Sequence, residues 1–210
     1  MTVDGEWFTP TELEFSSVHV RANTEWVHLL LRDVSGTYGQ GEITSTQLTQ
    51  VVSHVVARLA NRLRGHKLTS DSDVIQLNNL SLEQLEEDQV LATAVSGLRC
   101  AVVDALSQRA QLPLVDYLRK LYDHDGKAER KVQLYSNINR SLLPNDDGPI
   151  DRSPDSFAEM ALRAMEAGFT TAKCAPFDEC KTPFNSTGLP IETEIGLDRI
   201  RATKGVVGSH

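Results

Sequence analysis

The chain has 210 residues, of which 40% are hydrophobic and 24% charged, with a formal net charge of −8. These values bound it to one large or two small globular domains, and the acidic balance argues against a nucleic-acid or anionic-membrane surface as the main partner. No apolar run approaches the roughly 20 residues that span a bilayer, the N-terminus MTVDGEWFTPTELEF has no apolar core of signal-peptide type, and the expected location is the cytoplasm.

In chain order, residues 1–12 read as a frayed N-terminal arm. Leu13 to Val20 is strand-like, Asn23 can turn the chain, and Trp26 to Arg32 (WVHLLLR) reads as a second, largely buried strand. Gly36 offers the positive φ of a hairpin turn before Tyr38 to Ile43, so the chain opens as an antiparallel meander. Thr44-x-x-Gln47 matches a capping box. It introduces a helix with Leu48, Val51, Val52, Val55, Val56, Leu59 and Leu63 on one stripe, closed by Gly65. Ser81-x-x-Gln84 is a second capping box. Beyond it, Leu91, Val95, Leu98, Val102 and Leu106 mark a long helix whose small residues, Ala92, Ala94, Gly97, Ala101 and Ala105, suit close packing. Pro113 breaks it, and Leu114 to Leu121 reads as one more short helix.

The polar stretch 123–131 is the expected linker between a domain over 13–122 and a second over 132–210. Val132 to Ile138 reads as a strand. Ser153-Pro154 supplies an N-cap with proline at N1, and the helix that follows ends at Gly168. Phe169 to Ala172 has strand character and delivers Lys173 at its end, before a loop from Cys174 to Asp178. Ile191 to Lys204 is the last helix. A β-α-β-α order implies a parallel sheet. Two parallel strands alone leave both edges and both faces open. Either a small β-α-β-α unit packs on the first domain, or the chain is a fragment of a larger fold.

Several residue clusters carry plainer readings. Gly39-x-Gly41 lacks the βαβ context of a phosphate loop and reads as a tight strand turn. Asp123-x-Asp125-Gly126 lacks the third acidic position and closing glutamate of a calcium loop. Asp104 lies on an apolar helix and reads as a structural carboxylate that caps or pairs. His19, His28 and His54 have no clustered partners in the sequence. Cys100, Cys174 and Cys180 are scattered, which fits reduced thiols better than a disulfide framework.

Four segments, in order and at the right spacing, resemble the enolase superfamily in its mandelate racemase and muconate lactonizing enzyme branch. They are Trp26–Glu42 (a strand, a glycine turn, then G-x-G-E), Ala92–Leu118 (the long helix with Asp104 and an L-P-L exit), Ser156–Ala175 and Gly196–Gly208. The resemblance implies an α+β capping domain followed by a (β/α)7β barrel. A complete eight-stranded barrel needs about 250 residues, so residues 132–210 would supply an incomplete α/β barrel, its first two strands only.

The resemblance also implies a chemistry. Such enzymes abstract the proton α to a carboxylate, with Mg²⁺ stabilising the enediolate and a Lys or His as base. In this family the second barrel strand ends Lys-x-Lys; here Lys173 matches the first lysine and Ala175 stands at the second. Lys173 is therefore the candidate catalytic or carboxylate-binding residue, and Tyr135, Asn137 and Asn139, ending the first barrel strand, are candidate substrate contacts. The metal-binding carboxylates of the family lie on later strands, so no metal ligand is assigned here, Asp178, Glu179, Glu192 and Glu194 included. The short segment Arg21 to Glu25 stands where the family carries a lid, and implies a reduced lid over a more open pocket. Two functions follow as expectations. The first is part of a Mg²⁺-dependent dehydratase or racemase acting on a sugar-derived hydroxy acid, with homo-oligomerisation expected and this chain inactive by itself. The second is a non-catalytic truncated product or remnant that acts only as an interaction domain.

Overall fold

The structure, a computed structural model, describes residues 7–21, 24–45, 48–122, 131–139, 151–178, 180 and 191–208. The chain divides into two compact units, Met1–Ala128 and Glu129–His210. The expected linker, apart from Lys131, lies outside the described residues, as do Gln47 and Glu179.

The first unit opens on β1 (Glu12–Arg21), β2 (Thr24–Arg32) and β3 (Tyr38–Glu42), an antiparallel sheet in the order β1-β2-β3. Leu13 faces Leu31 and Leu29 faces Gly41 in register. Alternation along β2 sends Val27, Leu29 and Leu31 into the core, as the two-residue period of a strand requires. The β1–β2 hairpin runs past that core, with Phe15, Val18, Val20 and Trp26 exposed.

The turn between β2 and β3 is built on Asp33. Its carboxylate accepts from the Ser35 amide at 2.9 Å, the Ser35 hydroxyl at 2.7 Å and the Thr37 amide at 3.0 Å. Gly36 takes the positive φ of +85° that the turn needs. Arg109, at the far end of the chain's longest helix, donates to the same carboxylate.

Among the described residues of this unit, α1 (Thr49–Leu63), α4 (Gln89–Arg109) and α5 (Leu114–Leu121) follow the sequence reading, while α3 (Leu82–Glu87) is a separate helix where one long helix was expected beyond the Ser81 capping box. The short α2 (Asp73–Leu77) has no periodic signal in the sequence. The Ser81 capping box forms, with both reciprocal bonds present, but it starts α3. The long helix α4 has its own cap, Asp88, which accepts the Leu91 amide at 2.9 Å.

Three expectations are corrected. Thr44 does not cap α1: its hydroxyl accepts the Val27 amide at 3.0 Å, and the cap position falls to Leu48, which makes no side-chain bond. Leu48 and Val51 of the expected stripe are exposed, because α1 turns Val52, Val56, Leu59 and Leu63 inward. The arm is not frayed from residue 7 onward. Phe8 is fully buried and exchanges backbone bonds with Leu68 at 2.9 and 2.8 Å.

The strand β3 lies directly on α4. A Cβ added at Gly39 would fall 1.8 Å from the Ala101 carbonyl oxygen, and one at Gly41 2.0 Å from that of Gly97. Gly39-x-Gly41 is thus a backbone-to-backbone contact surface on a strand, where the sequence reading placed a tight turn. Among the described residues, α4 alone has the length and apolar composition to cross a membrane, and 56% of its most apolar window is buried inside the molecule.

The second unit holds β4 (Ser136–Asn137), α6 (Pro154–Glu166), β5 (Ala172–Lys173) and α7 (Ile191–Val207). Ser153 caps α6 by accepting the Ser156 amide at 3.2 Å, with Pro154 at N1, and Gly168 ends it at φ +87°. The strands pair in parallel, Ser136 with Ala172 and Asn137 with Lys173. The strand expected over Val132 to Ile138 forms only at Ser136–Asn137. Among the described residues each of the two strands pairs only with the other. Val132, Leu134 and Tyr135 are exposed. Two paired residues per strand make a parallel ladder and not a barrel.

Candidate functional site

The candidate site is the C-terminal end of β4 and β5. Lys173 is exposed, directly across the ladder from Asn137, with its Nζ 5.7 Å from the centre of the Tyr135 ring. Three of the four residues singled out from the sequence, Lys173, Tyr135 and Asn137, are therefore neighbours. The Asn137 Oδ1 is buried and has no hydrogen-bond partner among the described residues.

The fourth, Asn139, is brought to the same end by a residue that sequence reasoning missed. Arg152 donates from Nη1 to the Asn139 Oδ1 at 2.9 Å and from Nη2 to the Ala175 carbonyl at 2.7 Å. It pairs with Asp178 at 3.4 Å. Asn139 also donates to Asp178 at 3.5 Å, the outer limit of a hydrogen bond. The Arg152 guanidinium stacks 5.2 Å from the centre of the fully buried Phe157 ring, with Arg199 at 5.3 Å from the same centre. Arg199 donates to the carbonyls of Arg152 at 2.7 Å and Pro176 at 2.8 Å. No periodicity or motif marks these two arginines, since their acceptors, backbone carbonyls and for Arg152 also the Asn139 and Asp178 side chains, are brought near only by the folded chain.

Burial pushes the Cys174 thiol up, partly offset by the Arg152 cation. Asp151 lies below the ordinary carboxylate range because the Ser156 hydroxyl and the Ser153 amide donate to it.

The carboxylates of this unit are dispersed over separate partners. Asp151 is bound by Ser153 and Ser156, Asp178 by Arg152, Glu159 by Arg163 and Asp198 by Arg201. Among the described residues no three His, Cys, Asp or Glu side chains are grouped to hold a metal ion. That donor set does not fit Mg²⁺, which demands near-octahedral oxygen ligands. No step through a metal is assigned to these residues.

The first unit carries a separate open cleft of about 690 Å³ between β3 and α4, lined by residues that include Gln40, Glu42, Arg99, Asp104 and Leu118. Asp104, expected to be structural, accepts the Gln40 amide at 2.9 Å and the Gln108 amide group at 3.3 Å.

Comparison with known proteins supports the resemblance at the level of the fold. A candidate dehydratase from Zymomonas mobilis ZM4 aligns at a TM-score of 0.73 and 20% identity, over 96% of this chain and 52% of its own. A member of the enolase superfamily from Salmonella Typhimurium aligns at 0.72 and 17%, over 96% and 52%. A mandelate racemase/muconate lactonizing enzyme from Sulfitobacter sp. aligns at 0.71 and 18%, over 96% and 53%. This chain is similar in fold to these proteins and spans about half their length. No family model and no curated protein matches it.

Proposed function

We propose that this chain supplies the capping domain and the first two barrel strands of an enolase-superfamily enzyme. The reaction is abstraction of the proton α to the carboxylate of a sugar-derived hydroxy acid, of dehydratase or racemase type. The observation that carries the reading is the parallel pairing of Asn137 with Lys173, which sets a lysine at a strand exit within a fold like that of the three enzymes above. Strand exits are where such folds place their chemistry.

In this reading Lys173 pairs with the substrate carboxylate, while Tyr135, Asn137 and Asn139 contact the rest of the molecule. Ala175 offers no base, so proton abstraction falls to a residue on another strand. Mg²⁺ is expected of the complete enzyme, with ligands outside the residues described here. The β1–β2 hairpin acts as a short lid: β1 runs to Arg21 and β2 resumes at Thr24. The partner is a small carboxylate, with neither nucleic acid nor membrane, and the enzyme works as a homo-oligomer in the cytoplasm.

A non-catalytic role as an interaction domain is the second reading. Its support is the exposed apolar hairpin, Phe15, Val18, Val20 and Trp26.

The test is exchange of the α-proton of sugar acids in D₂O, followed by NMR with and without Mg²⁺. A longer product of the same reading frame should exchange the proton with metal, and the 210-residue chain should not. Absence of exchange on every hydroxy acid by the longer product favours the interaction domain. Exchange by the 210-residue chain would overturn the division of labour.

A further inference from the structure

Arg152 joins three segments of the second unit. Its side chain, 12% exposed, bonds Asn139 just after β4 and the Ala175 carbonyl just after β5, and stacks on Phe157 near the start of α6. The neighbouring carbonyl, that of Pro176, is held by Arg199. Two guanidiniums in contact with one buried ring therefore fix consecutive carbonyls of the segment that leaves Lys173. A guanidinium keeps its charge at any working pH and presents its donors in one rigid plane, so this hold does not titrate away.

The electrostatic consequence concerns Lys173. Asp178, the carboxylate tied to this exit, is paired by Arg152. Lys173 contacts the Tyr135 ring face and remains exposed. Cationic and amide groups favour an anion there over a divalent cation.

Resting on the function proposed above, we infer that Arg152 is a positioning residue of a carboxylate-binding exit: it fixes Asn139 and the backbone after β5 so that Lys173 meets a hydroxy-carboxylate.

The probe is D-gluconate, titrated into the 210-residue chain in excess EDTA, with lysine side-chain NMR as readout and Lys173→Met to assign the signal. A saturable shift of the Lys173 signal is expected, absent in Lys173→Met. Arg152→Ala and Asn139→Ala should each weaken the apparent affinity about tenfold, as loss of a charge-assisted bond would, in protein whose amide spectrum remains that of the folded chain. Arg152→Lys should not restore it, since one ammonium cannot serve both acceptors in plane. If Arg152→Ala fails to fold, Asn139→Ala decides. Equal shifts at several lysines, an adventitious additive only, would overturn the inference. So would full affinity in the folded variants. Failure of the α-proton exchange would remove the enzymatic reading while leaving this binding result in place.

Discussion

The Asp104 carboxylate accepts the backbone amide of Gln40 at 2.9 Å, joining residues 64 positions apart. Gln40 sits between the two glycines whose missing side chains let β3 rest on the backbone of α4. The bond and the glycines form one device: the contact brings an edge-strand amide under the helix, and the carboxylate satisfies it.

Replacing either glycine should be severe. Gly41→Ala would place a methyl 2.0 Å from the Gly97 carbonyl oxygen; the obstacle is backbone, so strand and helix must separate. We expect a loss of about 3 kcal/mol or more, as for overpacked cores. Asp104→Ala should cost about 1 kcal/mol, because its bond lies at an exposed edge. Gly36→Ala, with open space around it but φ of +85°, should fall between them at about 1–2 kcal/mol. Urea unfolding of the three variants checks the order, and a mild Gly41→Ala would refute the close-contact account.

This contact shows what the sequence could and could not tell. The long apolar helix with its small residues announced close packing, and the alternation of β2 announced the sheet. Nothing in the spacing said that the small residues of α4 and the glycines of β3 face one another, because that pairing is non-local. Thr44 shows the converse failure. Its spacing to Gln47 is that of a capping box, yet its hydroxyl is taken by the Val27 amide, and a tertiary bond overrides a local pattern. At the candidate site, Lys173 was legible because a glycine stop and a short strand-like run lead to it, whereas Tyr135, named from the family resemblance as ending the first barrel strand, lies one residue before β4. Arg152 and Arg199 were not legible, since their acceptors are contributed by other segments.

Asp33 gives a pH prediction. Burial alone would raise its pKa; the hydroxyl and amide of Ser35 and the Arg109 cation outweigh that and hold it below the ordinary carboxylate value of 3.8. A depressed native pKa stabilises the fold above the unfolded value, and that stability is lost as pH falls through the native value. Asp33→Asn should therefore be less stable than wild type at pH 7 by about 1–2 kcal/mol. The gap should close as pH drops below about 4, where the unfolded carboxylate takes up its proton. Urea midpoints of both proteins from pH 7 to 2 measure this, and a gap that widened in acid would contradict it.

The thiols should separate by reactivity. Cys100 is exposed, whereas Cys174 is partly buried and its thiol is pushed up by that burial. The thiolate is the reactive form. Timed alkylation at pH 8, read by peptide mass spectrometry, should label Cys100 well before Cys174. Equal rates would mean that the segment after β5 is not held by Arg152 and Arg199 as described.

Arg199 offers the sharpest test of that hold. It is 4% exposed and donates to two carbonyls, those of Arg152 and Pro176. Lysine at this position keeps the charge and most of the apolar stem but cannot present two donors in one plane. Arg199→Lys should leave one half-buried carbonyl short of a partner, at a cost of about 1–2 kcal/mol. The loss should be local first. Amide exchange should quicken in the segment around Pro176 and at the first turn of α6, where the Arg152 carbonyl precedes the Ser153 cap. The Lys173 shift on gluconate binding should weaken with it, because the same carbonyls set the path of the backbone that leaves Lys173. If exchange rises while gluconate affinity stays at the wild-type value, the arginine pair holds the fold without positioning the lysine, and the carboxylate-binding role must then rest on Lys173 and Tyr135 alone.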